Sequence, residues 1–216
     1  MAVQELLRTD EKHQFKANII EETRFVLDFS GVIDFTDDQL FKFCAVNRDL
    51  RIERTGEGKL IIMAPMGGEG SKRESVIISR LFIWNDKYKL GKVFSSAGGF
   101  ILPNGAMLSP DTAFVTLERW KEIPRLTRKK FLPLCPCFIA ELRSESDSIK
   151  VLKAKMDEWM ENGCRLGWLI DPLEEKAYIY RPNKEIEIID SFDKKLLGED
   201  VLPGFELDLS EFREQM

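Results

Sequence analysis

The stretch from residue 136 to residue 172 constrains the fold more than any other part of this chain. Cys137, Phe138, Ile139 and Ala140 form an apolar run that leads directly into Glu141, so residues 136–143 are predicted to be a buried strand. A helical pattern follows over about 147–161 and stops at Asn162-Gly163. Residues 165–170 form a second apolar strand, closed by Asp171-Pro172. Strands bracketing a helix need a sheet with helices against it, which makes the chain mixed α/β.

The flanks fit that plan. Thr36-Asp37-Asp38-Gln39 has the spacing of a capping box at the start of a helix running to Val46. Residues 50–54 and 59–64 are β-prone runs joined by Thr55-Gly56-Glu57-Gly58, which predicts a hairpin. A second helix is expected after Met66-Gly67-Gly68, running to about Lys89 and ended by Gly91. Residues 93–97, 100–103 and 107–115 are expected strands, and 118–133 a charged, proline-containing connection. Short strands are expected near 24–29, 177–181, 185–189 and 201–202. Internal repeats and low-complexity segments are absent.

Two acids interrupt apolar strands. Asp111 follows Pro110 in M-L-S-P-D-T-A-F-V, and Glu141 ends the strand described above. A buried carboxylate is costly unless it is paired or bound to a cation. Two such acids at neighbouring strand ends offer the hard oxygen ligands that Mg²⁺ prefers. The alternative is that each acid caps a helix or pairs with an arginine. Alternation puts Ile139, Glu141 and Arg143 on one strand face, so Arg143 either contacts a phosphate or neutralises Glu141. Glu74 heads the helical stripe Ile77, Ile78, Leu81 and is either placed for the helix dipole or aimed into a site. Lys155 has Val151, Leu152, Glu158 and Trp159 as its helical neighbours. It either leans toward the end of the preceding strand or snorkels along apolar surface.

Bulk properties narrow the field. The 216 residues carry a net charge of −5, which argues against broad, non-specific nucleic-acid binding. One basic stretch, Arg119-Trp120-Lys121 through Arg125, Arg128, Lys129 and Lys130, could track a phosphate backbone or be a solvated surface. Cys44, Cys135, Cys137 and Cys164 contain no C-x-x-C pair, and His13 is the one histidine, so a zinc site is not expected. A charged N-terminus and the lack of a long apolar run predict a soluble chain in the cytoplasm, away from membranes.

Five segments, in order, carry a family resemblance: R-I-E-R-T-G-E-G-K-L-I-I-M-A-P, L-S-P-D-T-A-F-V, A-E-L-R-S-E-S-D-S, K-M-D-E-W-M-E-N-G-C-R-L-G-W-L-I-D-P and L-P-G-F-E-L-D-L. The chain resembles the Uma-type restriction endonucleases, a group within the PD-(D/E)XK nuclease superfamily. The resemblance implies a restriction-endonuclease-like core over residues 36–210, with an N-terminal extension 1–35 and a tail 211–216. It implies a mixed central sheet flanked by helices, with Asp and Glu as metal ligands, and the expected protein is a homodimer that hydrolyses DNA phosphodiesters with Mg²⁺ or Mn²⁺. Pro110-Asp111 matches the "PD" half-motif, and Glu141 the acid of the second half-motif. The usual lysine two residues later is Arg143 here, and Lys155 matches the lysine that family members keep on the next helix. Glu74 matches an acid on the first core helix of related nucleases. Asp111, Glu141 and Glu74 are thus the implied metal ligands, with Lys155 and Arg143 completing the site. The rival reading is an inactive nuclease fold serving as a binding or scaffold module.

Overall fold

The computed structural model describes residues 24–213. His13 and most of the expected N-terminal extension lie outside them. The elements are β1 (Arg24–Leu27), α1 (Asp37–Val46), β2 (Arg51–Arg54), β3 (Leu60–Met63), α2 (Gly68–Tyr88), β4 (Gly91–Ser95), β5 (Phe100–Ile101), β6 (Met107–Leu108), β7 (Thr112–Thr116), α3 (Leu117–Glu122), β8 (Phe138–Leu142), α4 (Ile149–Glu161), β9 (Leu166–Asp171), β10 (Lys176–Tyr180), β11 (Glu187–Ile189), β12 (Lys195–Leu197) and β13 (Glu206–Asp208).

A six-stranded sheet in the order β11-β10-β9-β8-β7-β4 forms the centre. Its β8–β9 pair is parallel, with α4 in the crossover, while the other neighbours are antiparallel. One face carries Phe138, Ala140, Leu142, Trp168 and Ile170 against Ile77, Leu81 and Trp84 of α2. The other carries Ala113, Val115, Ile139 and Leu169 against Leu152, Met156 and Trp159 of α4. Strand alternation therefore divides the core as the sequence pattern predicts, and Glu141 is on the α4 side with Ile139. The close seat of α4 depends on Gly167, where a Cβ would stand 2.6 Å from the Met156 methyl.

A second sheet, β1-β3-β2-β6-β5, is built on the 50–64 hairpin and covered by α1. The α1 capping box forms as expected: Gln39 N–H donates to Thr36 Oγ1, and Thr36 N–H donates to the Gln39 side chain.

Four expectations need correction. Residues 107–115 are not one strand but two, β6 in the smaller sheet and β7 in the larger. Pro110 has no N–H to give a ladder, so the chain leaves one sheet and enters the other at Ser109-Pro110-Asp111. Gly91 does not stop α2: Lys89 does, in the left-handed conformation at φ 56°. Gly91 opens β4 instead, because a Cβ there would lie 2.2 Å from the Val115 carbonyl oxygen. Val201 and Leu202 form a turn, with β12 and β13 on either side. The 118–133 connection holds α3, whose first turn is capped by Thr116 Oγ1.

Candidate active site

The switch from β6 to β7 puts Asp111 at the head of β7. The β7–β8 register runs Phe114–Phe138, Ala113–Ile139, Thr112–Ala140, and one step further brings Asp111 opposite Glu141. Both side chains are buried, 6% and 3% exposed, at the floor of a cavity of about 460 Å³. The loop before α2, the loop after β8 and the start of α4 wall this cavity.

Each carboxylate has one oxygen engaged. Asp111 Oδ2 accepts the Leu142 N–H at 2.7 Å. Glu141 Oε1 accepts the Trp159 indole N–H at 3.1 Å and lies 2.9 Å from Lys155 Nζ. Among the described residues no hydrogen bond reaches Asp111 Oδ1 or Glu141 Oε2. The cation within 4 Å of Asp111 Oδ1 among the described residues is Arg51, at 3.9 Å.

Lys155 reaches this cluster because Leu152, Lys155, Met156 and Trp159 form the buried face of α4. Its ammonium sits between Glu141 and Glu53, 2.9 Å from each, and also donates to the Ser109 carbonyl at 3.3 Å. Glu53, 1% exposed, also accepts the Ser109 N–H at 2.9 Å. It thereby ties β2 to the segment that delivers Asp111. Sequence reasoning missed Glu53. Its one local signal is that alternation in R-I-E-R separates Glu53 from the apolar Ile52.

Carboxylates outnumber the fully engaged cations here. Burial, then the neighbouring Glu141 carboxylate, pushes Asp111 up to about 8, with Glu74 adding to the push against Lys155 and the Leu142 N–H. Glu141 is raised by burial and by Glu53, against the pull of Lys155. Burial alone would lower Lys155, yet Glu141 and Glu53 outweigh it and hold the ammonium above its ordinary value. The two carboxylates thus favour the protonated ammonium at Lys155.

Glu74 is half-buried on α2 and close enough to Asp111 to act on its charge. It does not line the cavity. Arg143 is not brought to the cluster. Its guanidinium donates to Asp171 Oδ2 at 2.8 Å and to the Asp147 carbonyl, because β8 ends at Leu142 and strand alternation no longer directs it. Three of the six cations of the basic stretch have partners in the fold, while Lys121, Arg125 and Lys129 are exposed. Arg119 donates to the Cys135 carbonyl, Arg128 packs 4.6 Å from the Trp120 ring centre, and Lys130 pairs with Asp38. Cys135, Cys137 and Cys164 are buried free thiols.

The donor set suits a hard divalent cation. Mg²⁺ is held by one or two carboxylates, its remaining positions going to water and substrate phosphate. Asp111 Oδ1 and Glu141 Oε2 are the oxygens left for it. No group of three or more Asp, Glu, His or Cys side chains among the described residues is arranged to hold an ion, so Glu74 does not complete a three-ligand set.

This architecture is shared with a solved structure, the crystal structure at 1.96 Å of a "putative nuclease belonging to DUF820" from Anabaena variabilis ATCC 29413. The two superpose with a TM-score of 0.64 at 22% identity, over 74% of this chain and 88% of that one. The class is thus a mixed α+β nuclease-like fold. The Uma2 family model, described as "putative restriction endonuclease", matches residues 37–210, and the chain belongs to that family. No match is found among curated proteins. No helix among the described residues is long and apolar enough to cross a membrane.

Proposed function

We propose that this protein is a metal-dependent endonuclease that hydrolyses DNA phosphodiester bonds, with Asp111 and Glu141 holding Mg²⁺ or Mn²⁺. The observation that carries this reading is the pair of buried carboxylates on the cavity floor, each with one oxygen free of hydrogen bonds. Family membership supports the same chemistry. Bound there, the ion would lower the pKa of a water and offset charge developing on phosphorus. Asp111 and Glu141 fix the ion at the β7–β8 strand ends. Lys155, held protonated by Glu53 and Glu141, supplies a fixed positive charge beside the attacking water and the phosphate oxygens. Glu74 acts through a water rather than by direct ligation. Arg143 has no phosphate role in this scheme, because Asp171 holds it. A homodimer is part of the proposal. Phe82 and Ile83, 59% and 60% exposed on α2, are candidate contacts for it, and sedimentation would measure it.

A plasmid-nicking time course with Mn²⁺ tests the reading. The wild type should nick, and Asp111→Ala should not. Equal nicking by both proteins, or none by the wild type, would favour a scaffold on a nuclease fold.

A further inference from the structure

Three arginines and one lysine line the cavity: Arg24, Arg51, Arg73 and Lys155. Three are committed to the fold. Arg24 donates to Asp147 at 3.2 Å. Arg73 donates to the Phe212 carbonyl at 3.0 Å, with Glu69 at 4.0 Å. Lys155 is divided between two carboxylates. Arg51 differs: its guanidinium makes no hydrogen bond among the described residues, and its one ionic neighbour is Asp111 Oδ1 at 3.9 Å, beyond hydrogen-bond length. Its side chain is 32% exposed.

The backbone explains this position. On β2, Arg51 and Glu53 share one face, while Ile52 enters the small core and Arg54 is fully used by Phe35, Asp37 and Gly105. The face that anchors Lys155 through Glu53 therefore also directs a guanidinium at the carboxylate pair. We propose that Arg51 binds the substrate phosphate, contacting it directly while Asp111 and Glu141 hold the ion. A guanidinium fork matches two phosphate oxygens, and a cation arriving at Asp111 Oδ1 would turn Arg51 toward the anion beside it. Arg51 thus takes the place that the sequence offered to Arg143. The inference rests on the phosphodiesterase reading above.

The test compares wild type, Arg51→Met and Arg51→Lys. Binding of a fluorescent DNA duplex is followed by anisotropy across a salt series, with Ca²⁺ in place of the catalytic ion. Mn²⁺ affinity without DNA is measured by calorimetry. Arg51→Met should bind the duplex about tenfold more weakly and lower the magnitude of the log K against log salt slope by about one. Its Mn²⁺ affinity should be unchanged or higher. Arg51→Lys should restore the slope but only part of the affinity, since it keeps the charge and loses the fork. An unchanged slope with tighter Mn²⁺ binding would overturn the inference and make Arg51 a counterion of Asp111. Should Arg51→Met fail to fold, the comparison moves to Asp111→Asn with and without Arg51→Met. A slope difference of about one supports the contact, and equal slopes overturn it. A wild type that neither binds nor nicks DNA overturns the proposed function, and this inference with it.

Discussion

Asp111 and Asp171 are both buried aspartates at the ends of central strands, and their surroundings differ. Asp171, 0% exposed, has Arg143 at 2.8 Å on one oxygen and the N–H groups of Leu173 and Glu174 on the other. Both oxygens have donors in the fold, and the residue lies outside the cavity. Asp111 has one N–H on one oxygen and a distant arginine on the other, beside a second carboxylate. The first is an acid whose charge the fold has already balanced. The second carries charge that only an added cation or proton can balance. The same side chain at a similar depth is a structural anchor in one place and, in the function proposed above, a metal ligand in the other.

The sharpest way to break this comparison is to remove each acid in turn. Asp171→Ala strips the partner from Arg143 and should cost about 3 kcal/mol, lowering the melting point by several degrees while nicking persists below the melt. Asp111→Ala removes a mutually repelling carboxylate. It should abolish nicking while leaving the melting point unchanged or raised. Reversed outcomes, with Asp111 stabilising and Asp171 dispensable, would show that the two roles are misassigned. Glu53→Gln should give a mixed result: nicking down about 100-fold, since Lys155 loses half its anchoring, with a stability loss of about 1–3 kcal/mol. A kinetic defect without any stability loss would mean that Glu53 is not bound to Lys155 in solution.

Titration sharpens the contrast further. Asp111 is raised from 3.8 to about 8 on folding, so between those values the native chain holds a proton that the unfolded chain has lost. Stability without metal should therefore fall as pH rises through that window, and Mn²⁺ affinity should rise as the competing proton leaves. Thermal melts across that range should flatten for Asp111→Asn, and an identical slope in the variant would place the titration elsewhere. The smallest effect is expected at Arg143. Arg143→Lys keeps a cation beside Asp171 and should change nicking less than about threefold, with a modest loss of stability from the weaker fork. A large kinetic defect there would return Arg143 to the site.

Much of this was legible in the sequence because it is local. The β8–α4–β9 unit follows from apolar runs and a helical period. The Thr36 cap follows from a four-residue motif. The neighbours of Lys155 one helical turn away on α4 left it two placements, leaning to the strand end or snorkelling, and its contacts with Glu53 and Glu141 decide for the first. Glu53 was not legible: it looks like any strand glutamate, and its burial is created by Lys155, 102 residues away. The break within 107–115 was half visible, since Pro110 marks it, but nothing nearby says that the two halves belong to different sheets.

The sequence by itself determined the mixed α/β class, the alternation that puts Glu141 on the α4 side, and the acids that are expensive to bury. Tertiary structure alone decided which acids are balanced. Arg143 goes to Asp171, Lys155 goes to Glu53 and Glu141, and Arg51 stops short of Asp111. Charge pairing depends on distances of a few ångströms between segments far apart in the chain, and residue spacing along one strand or helix does not encode those distances.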